Sequence, residues 1–368
     1  MPDRCDVLIV GGGPAGSSCA ARLWAAGLDV VVVDKCRFPR DKSCAGWITP
    51  PVLEHLRIDP REHEQGRVLQ PIKGFSVCRL GGPMVETDYG TVVSYGIRRC
   101  EFDTYLLHRS HARLRLGAPL KTLERVGRAW LINGELEAPM VVGAGGHFCP
   151  VARHLGARTS GDRTVVAAQE TEFKLSREQA RICRVRPEVP ELFFCEDLQG
   201  YGWCVRKGEY LNVGMGREDS TRLSDHLRAF VETLQSQNRI PKDIPTRFQG
   251  HAYTLYGHAP RELLGDGLLL VGDAAGLAAA YSGEGIRAAV ESGLLAAESI
   301  LSAGGNYERE ALASYLKSLI DRFGPPESSD GWIAHIPTRI KLAVAGPLFA
   351  SAWFTRRIVL DRWFLARN

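Results

Sequence analysis

The sequence predicts an α/β protein: a nucleotide-binding βαβ sheet, a second mixed sheet inserted into it, and a helical tail. Three observations predict it. Val7 to Val10 is a buried-strand run closed at once by Gly11, Gly13 and Gly16. An apolar strand, Leu268 to Val271, returns far along the chain and ends in Gly272 and Asp273. Between the two, Gly200 to Gly216 alternates with period two.

In the first element, Gly11 lets the chain turn sharply off the strand, Gly13 leaves room for a phosphate, and Gly16 lets the next helix pack against the strand. Pro14 and Ala15 lie in the same turn, where a helix N-terminus offers free N–H groups and the positive end of its dipole. The apolar run Ser17 to Ala26 reads as that helix and stops at Gly27. The strand VVVDK follows. It places Asp34, then Lys35, about twenty residues after the glycines, where an acid accepts hydrogen bonds from an adenosine ribose. These parts together define a Rossmann-like unit and a dinucleotide, without separating NAD from FAD.

Leu268 to Gly276 decides that question. A strand end presenting Asp273 beside Gly272, Ala274 and Ala275 suits a ligand with a hydroxylated chain, such as the ribityl of FAD. No second glycine fingerprint appears: in Val141 to Gly156, Phe148 stands where a third glycine belongs, so a stable NAD(P) domain is not expected.

Composition excludes other classes. A net charge of +4, dispersed and without a nucleic-acid motif, gives no reason to expect RNA or DNA. Ten cysteines form no CxxC pair or regular framework and read as cytosolic thiols, and ten histidines show no ligand spacing, so no metal is expected. With the glycine turn beginning at residue 11 there is no room for a cleavable signal peptide, so a cytoplasmic protein is expected.

With these motifs in place, the chain resembles the FAD-dependent superfamily of aromatic hydroxylases, flavin-dependent halogenases and geranylgeranyl reductases, and most closely the last group. The resemblance implies a Rossmann-like FAD-binding domain of the glutathione reductase/p-hydroxybenzoate hydroxylase type, with an inserted mixed β-sheet substrate domain and a helical C-terminal tail. It implies an FAD contact for Arg99, three residues before Phe102 and four before Asp103, although a surface arginine at a helix start explains the same residue. Ser282, Gly283, Glu284, Gly285 and Ile286 match a segment at the start of a long helix aimed at the flavin pyrimidine; Ser282 also reads as a plain N-cap. In Val141 to Gly156 the hydroxylase pattern has lost its aspartate to Gly145 and its serine to Cys149 while keeping Arg153, which argues against hydroxylase behaviour. The stretch Arg40 to Trp47, with Ser43, Cys44, Ala45 and Gly46, is similar to a cysteine-glycine turn near the flavin ring. There Cys44 either donates a proton or lines the pocket.

The period-two segment puts Tyr201, Trp203 and Val205 on one face of a strand, with Lys207-Gly208-Glu209 as the turn. The two aromatics either wall an apolar cavity over the flavin or pack the core beneath the sheet. Tyr201 and Trp203 match part of the geranylgeranyl reductase PxxYxWxFP segment, whereas Leu198, Val205 and Arg206 replace its proline, phenylalanine and proline. After residue 304 the chain turns helical, with a break at Gly324-Pro325-Pro326. Trp353, Phe354, Trp363 and Phe364 interleave with Arg356, Arg357, Arg362 and Arg367, a pattern for a helix that packs on the body or one that lies on a membrane.

The expected organisation is an FAD-binding domain of residues 1–58, 96–158 and 262–303, a substrate sheet domain of 59–95 and 159–261, and a helical segment of 304–368. The expected function is reduction of a carbon–carbon double bond in an isoprenoid- or lipid-like substrate, by hydride from FAD that NAD(P)H or another donor reduces. Cys44, Tyr201 and Trp203 are the catalytic candidates, with Cys44 and Tyr201 as the acids. The alternatives are a monooxygenase hydroxylating a phenolic or polyketide lipid, a halogenase, and a flavoprotein that binds lipid without catalysis. No obligate protein partner is evident; the C-terminal segment is expected to pack on the body, with peripheral contact with a membrane surface as the alternative.

Overall fold

The computed structural model describes residues 2–157, 165–219, 221–258, 261–326 and 337–366; the boundary expected at 158 and 159, and Arg367, lie outside the described residues. The chain forms two compact units. The first comprises Met1–Arg40, Cys100–Thr164 and Tyr253–Ser329, the second Asp41–Arg99, Val165–Ala252 and Asp330–Asn368.

The first unit is built on a six-stranded sheet in the order Leu264–Gly265, Leu268–Leu270, Met140–Gly143, Val7–Val10, Val30–Asp34 and Arg113–Leu116. All neighbours pair parallel except the Leu264–Gly265 edge. The central strands read VLIV, VVVVD and MVVG and are almost wholly buried, as a parallel sheet covered on both faces requires. Helix Pro14–Ala25 covers it with helix Ile286–Ser302. The two pack so closely that a Cβ on Gly293 would sit 2.3 Å from the Ala15 carbonyl oxygen. A small four-stranded sheet of Asp3–Arg4, Leu136–Ala138, Ala129–Ile132 and Leu123–Val126 completes the unit.

The second unit carries a seven-stranded mixed sheet in the order Gln249–Thr254, Val165–Lys174, Tyr210–Arg217, Gly200–Lys207, Glu191–Phe194, Gly74–Arg79 and Val85–Asp88. One face is covered by helix Leu223–Ser236, whose Leu227, Phe230 and Leu234 join Cys204, Leu211, Val213 and Met215 in a separate apolar core. Residues 41–58, expected with the nucleotide domain, group with this unit because Trp47–Ile48 pairs with Ser94–Ile97 in a three-stranded sheet. The expected tail divides: helix Ser314–Phe323, ended by Gly324 at φ +81°, belongs to the first unit, and helix Thr338–Phe349 to the second. Among the described residues no helix is long and apolar enough to cross a membrane.

Candidate functional site

The glycine turn shows a separate steric reason for each glycine. Gly11 has φ +115°, and a Cβ there would lie 2.3 Å from the Ala144 carbonyl oxygen and 2.8 Å from the Gly145 nitrogen, so the Ala144–Gly145 backbone runs directly against the turn. A Cβ on Gly16 would fall 1.9 Å from the Gly11 carbonyl oxygen, which makes Gly16 the contact between helix and strand. Gly13 faces open space but for Arg40, whose Nη2 would be 3.4 Å from such a Cβ. Pro14 and Ala15 are buried in the first turn of the following helix.

Asp34 ends its strand with both carboxylate oxygens engaged: Oδ2 accepts the Gly12 N–H at 2.8 Å and Oδ1 the Cys36 N–H at 2.8 Å. A carboxylate oxygen accepts more than one hydrogen bond, so capacity for a ribose hydroxyl remains. Lys35 beside it is exposed. Arg40 is held over the turn by an ion pair of 3.2 Å from its Nη2 to Oδ2 of fully buried Asp103. Its other terminal nitrogen, Nη1, is buried with no hydrogen-bond partner among the described residues. A desolvated guanidinium N–H aimed at nothing in the chain is costly unless an acceptor arrives from outside it. Arg99, at the start of helix Arg99–Arg109, is buried, which removes the surface-arginine reading.

At the far end of the same unit, Gly272 and Asp273 follow strand Leu268–Leu270 in one turn of 3₁₀ helix, Gly272–Ala274. Gly272 has φ +59°, and its N–H donates to Ser292 Oγ at 3.0 Å. Asp273 Oδ1 lies 3.2 Å from where a Cβ on Gly285 would stand, so these two candidates meet. Gly285 is the N-cap of helix Ile286–Ser302, which begins at buried Ile286. Ser282 is therefore not that cap. The side chain serving the helix start is Glu284, whose Oε1 accepts the Arg287 N–H at 2.8 Å. Burial pushes the Glu284 carboxyl up to about 6, against the pull of Arg287. Gly283, at φ +66°, passes Tyr253 so closely that a Cβ would overlap its hydroxyl.

The remaining candidates lie in the second unit, and here the sheet face decides their role. Cross-strand pairing puts Phe194 opposite Tyr201, Leu192 and Gly214 opposite Trp203, and Asn212 opposite Val205 and Glu172. Phe194, Tyr201, Trp203, Asn212, Glu170 and Glu172 thus share one face, while Gly202 on the other face meets the Phe230 ring of the covering helix. Tyr201 and Trp203 consequently do not belong to the core under that helix. Tyr201 instead sits in an aromatic cluster, 5.6 Å from the Phe194 ring, 6.0 Å from Trp203 and 5.3 Å from Phe364. Phe194 in turn lies 4.6 Å from the Phe349 ring, tilted by 39°. Trp203 is 5% exposed and donates its indole N–H to Asn212 Oδ1 at 2.7 Å, which leaves it no free proton to offer.

Beside the aromatics lies a buried polar network that sequence reading missed. Lys207 was expected in the turn. The strand runs through it, Gly208 and Glu209 make the turn, and its side chain is fully buried. Its ammonium donates to the Ala45 carbonyl at 3.1 Å, the Ile97 carbonyl at 2.9 Å and Glu172 Oε2, which satisfies all three N–H bonds. Glu172 also pairs with Arg98 at 3.2 Å. The two N–H bonds of the Asn212 amide are shared among Glu170 Oε2 at 2.5 Å, the Cys44 carbonyl at 3.0 Å and Glu172 Oε2 at 3.2 Å. The Cys44-Ala45-Gly46 turn, with Ser43 buried before it, is therefore fastened to the sheet by two side chains. Gly46 is required there: at φ +70° a Cβ would be 2.5 Å from both the Ile97 oxygen and Lys207 Nζ. The Cys44 thiol is half-buried, and its Sγ accepts the Gly46 N–H at 3.4 Å.

The two carboxylates differ. Burial raises Glu172, but the Lys207 and Arg98 charges and the Lys207 and Asn212 hydrogen bonds hold it below the usual carboxylate range. For Glu170, burial and the adjacent Glu172 charge outweigh the attraction of Lys207 and the hydrogen bonds from Asn212 and the Cys44 N–H, and its carboxyl is pushed up to about 7. The face thus holds one fixed anion and one acid that keeps its proton near neutrality. A signal for it was present: the alternation Tyr201, Trp203, Val205 extends to Lys207, and Glu170 and Glu172 stand two apart on a strand. Among the described residues no group of three His, Cys, Asp or Glu side chains is arranged to hold a metal ion.

Comparison with known proteins adds the following. Residues 4–113 match the family model described as an FAD binding domain. A digeranylgeranylglycerophospholipid reductase of Methanocaldococcus jannaschii is 27% identical over 313 residues, covering 81% of this chain and 77% of that protein. A menaquinone reductase of Mycobacterium tuberculosis is 29% identical over 350 residues, covering 88% and 82%. Among solved structures, a geranylgeranyl bacteriochlorophyll reductase-like protein of Thermoplasma acidophilum superposes with a TM-score of 0.79 at 20% identity over 99% of this chain and 97% of that one. The halogenase PltM in complex with FAD superposes with 0.71 at 16% over 98% and 85%. The residues present fit FAD: an open Gly13, a carboxylate at the end of the second strand, and a buried guanidinium N–H in need of an acceptor.

Proposed function

We propose that this chain is an FAD-dependent oxidoreductase that reduces carbon–carbon double bonds of a polyisoprenoid lipid, a reading that the FAD binding domain match and the reductase relatives support. The observation that carries the proposal is the single sheet face on which an aromatic cluster adjoins a buried acid, Glu170, tied to the Cys44 turn. The named substrates of the two relatives support it, since a digeranylgeranyl lipid and a menaquinone both carry polyisoprenoid chains.

Gly11, Gly13 and Gly16 would give the FAD pyrophosphate its room, Arg40 would offer its unsatisfied N–H to that phosphate, and Asp34 and Asp273 would accept from the ribose and the ribityl. The chemistry FAD supplies, once reduced by NAD(P)H or another donor, is a hydride for one alkene carbon. The other carbon needs a proton. Glu170 holds it near neutral pH and Asn212 fixes the acid against the Cys44 backbone. The carboxylate left behind regains a proton from solvent before the next turnover. Phe194, Tyr201 and Trp203 bind the apolar chain and exclude water, and Trp203 positions Asn212.

Anaerobic single turnover tests the reading. The bound flavin is reduced, a digeranylgeranyl glycerophospholipid or a menaquinone is added, and the product is weighed. A gain of two hydrogens without O2 is expected. Turnover only with O2, with a gain of oxygen, overturns the reductase in favour of a monooxygenase.

A further inference from the structure

Helix Thr338–Phe349 has two apolar sides. Ala345 and Phe349 are buried, and the Phe349 ring packs against Phe194 of the aromatic cluster. The other side is exposed: Ile340 is 52% exposed, Val344 46% and Leu348 38%, with exposed Ala343 and Pro347 completing the spacing i, i+3, i+4, i+7, i+8. A stripe at that spacing is the pattern of a face meant for burial, yet it meets solvent. Five residues after Leu348, Trp353 is 65% exposed, the largest exposure of any large apolar side chain described.

Charge says what covers it. Residues 337–366 contain five basic residues, Arg339, Lys341, Arg356, Arg357 and Arg362, against one acid, Asp361, so this segment alone equals the net charge of +4 that the whole chain carries. That acid does not oppose an anionic surface, being engaged by the Tyr89 hydroxyl at 2.7 Å and facing Arg357 at 3.7 Å. Arg339, Arg356, Arg357 and Arg362 are exposed. An exposed apolar stripe, an exposed tryptophan and uncompensated cations are what a bilayer surface of anionic phospholipid recognises, through apolar insertion at the headgroup level and attraction to phosphate. Twelve residues, with Pro347 inside, are too short to span a membrane but long enough to lie in its surface.

We propose that helix Thr338–Phe349, with Trp353 and the flanking cations, is a docking surface for anionic phospholipid bilayers. The surface is one helix thick: its outer side meets the membrane, and its inner side supplies Phe349 to the aromatic cluster. The docking itself does not depend on which reaction the protein catalyses.

Flotation of the full-length, FAD-loaded protein with vesicles tests it. The protein is expected to float with phosphatidylcholine:phosphatidylglycerol vesicles at 7:3 and low salt, to float several-fold less with phosphatidylcholine alone, and to be released at high salt. The triple variant I340S/V344S/L348S is expected to lose binding by about tenfold or more, with flavin absorbance and melting temperature unchanged. R339Q/K341Q, which leaves the stripe intact, is expected to lose only the preference for anionic lipid. Failure of the wild type to float with either vesicle overturns the proposal, as does a triple variant that floats like the wild type. So does a concentration-dependent dimer in sedimentation that the triple variant abolishes, because the stripe is then an interface between copies.

Discussion

The glycine turn of the first unit and the polar face of the second unit's sheet are both built from residues with no tolerance for change, but for opposite reasons. In the turn the constraint is backbone against backbone: Gly11 meets the carbonyl of Ala144, just past the end of the neighbouring strand, and Gly16 meets the carbonyl of Gly11. On the sheet face it is charge against burial, with an ammonium, two carboxylates and an amide satisfied by one another, by the Cys44 turn, and by Arg98, Trp203 and the Ile97 carbonyl. The first constraint comes from a few contiguous residues, the second from strands far apart in sequence. The chain therefore displays its cofactor openly and conceals the chemistry it brings to the substrate.

The sharpest way to break this comparison is Lys207→Met. If the network is as closed as its hydrogen bonds indicate, the variant leaves Glu172 with Arg98 and Asn212 but no ammonium and releases the Ala45 and Ile97 carbonyls, at a cost of about 4 kcal/mol. Urea denaturation would show it. A loss below about 1 kcal/mol would mean that water replaces the ammonium readily. Next comes Gly16→Ala, expected to cost about 3 kcal/mol and to empty the protein of flavin, because the new methyl meets backbone that cannot rotate away. The flavin absorbance of the purified variant measures it.

What the sequence made legible follows the same division. The strands Val7–Val10 and Val30–Asp34, the helix between them, and the return at Leu268 were readable because each signal is local: continuous apolar runs, glycines at fixed spacing, an acid at a strand end. The hairpin around Gly208 was readable from its alternation. Lys207 was misplaced because a Lys-Gly-Glu triplet reads as a turn, and only register shows that the strand continues through its first member. Glu170, Glu172 and Asn212 carry no motif at all: two acids in a strand read as a solvated face until a lysine from another strand is seen beside them. Ser282 read as a helix cap because a serine before a helix usually is one, whereas here Glu284 serves the helix start.

Glu170→Gln tests whether the sheet face is chemical or merely structural. If Glu170 holds the proton, the variant is expected to lose about a hundredfold in the reduction step while still accepting electrons into FAD. The wild type's fall in rate as pH rises through about 7 should vanish with it. Stability provides the control. A carboxyl raised from 4.5 to about 7 in the folded state binds its proton more tightly there than when unfolded, so the wild type loses stability as pH rises across that interval and stays level above it. The variant should lack that loss and gain on the wild type from pH 5 to pH 8. Flat stability together with an unchanged pH–rate profile would return Glu170 to a purely structural role.

The smallest expected effect is the most discriminating for the aromatic wall. Tyr201 was an acid candidate on sequence, but its ring lies among Phe194, Trp203 and Phe364 on the face that also carries Glu170, whose carboxyl burial pushes up to about 7. Tyr201→Phe keeps the ring and its stacking and deletes only the hydroxyl. If Tyr201 is wall, rate and pH profile should stay within about twofold of wild type, since no apolar contact is lost. A fall of a hundredfold would make the phenol the donor and leave Glu170 as the residue that holds the Cys44 turn. Phe194→Ala is the counterpart: it removes ring area and no proton, so it should raise KM for a long-chain lipid while leaving the pH profile where it was.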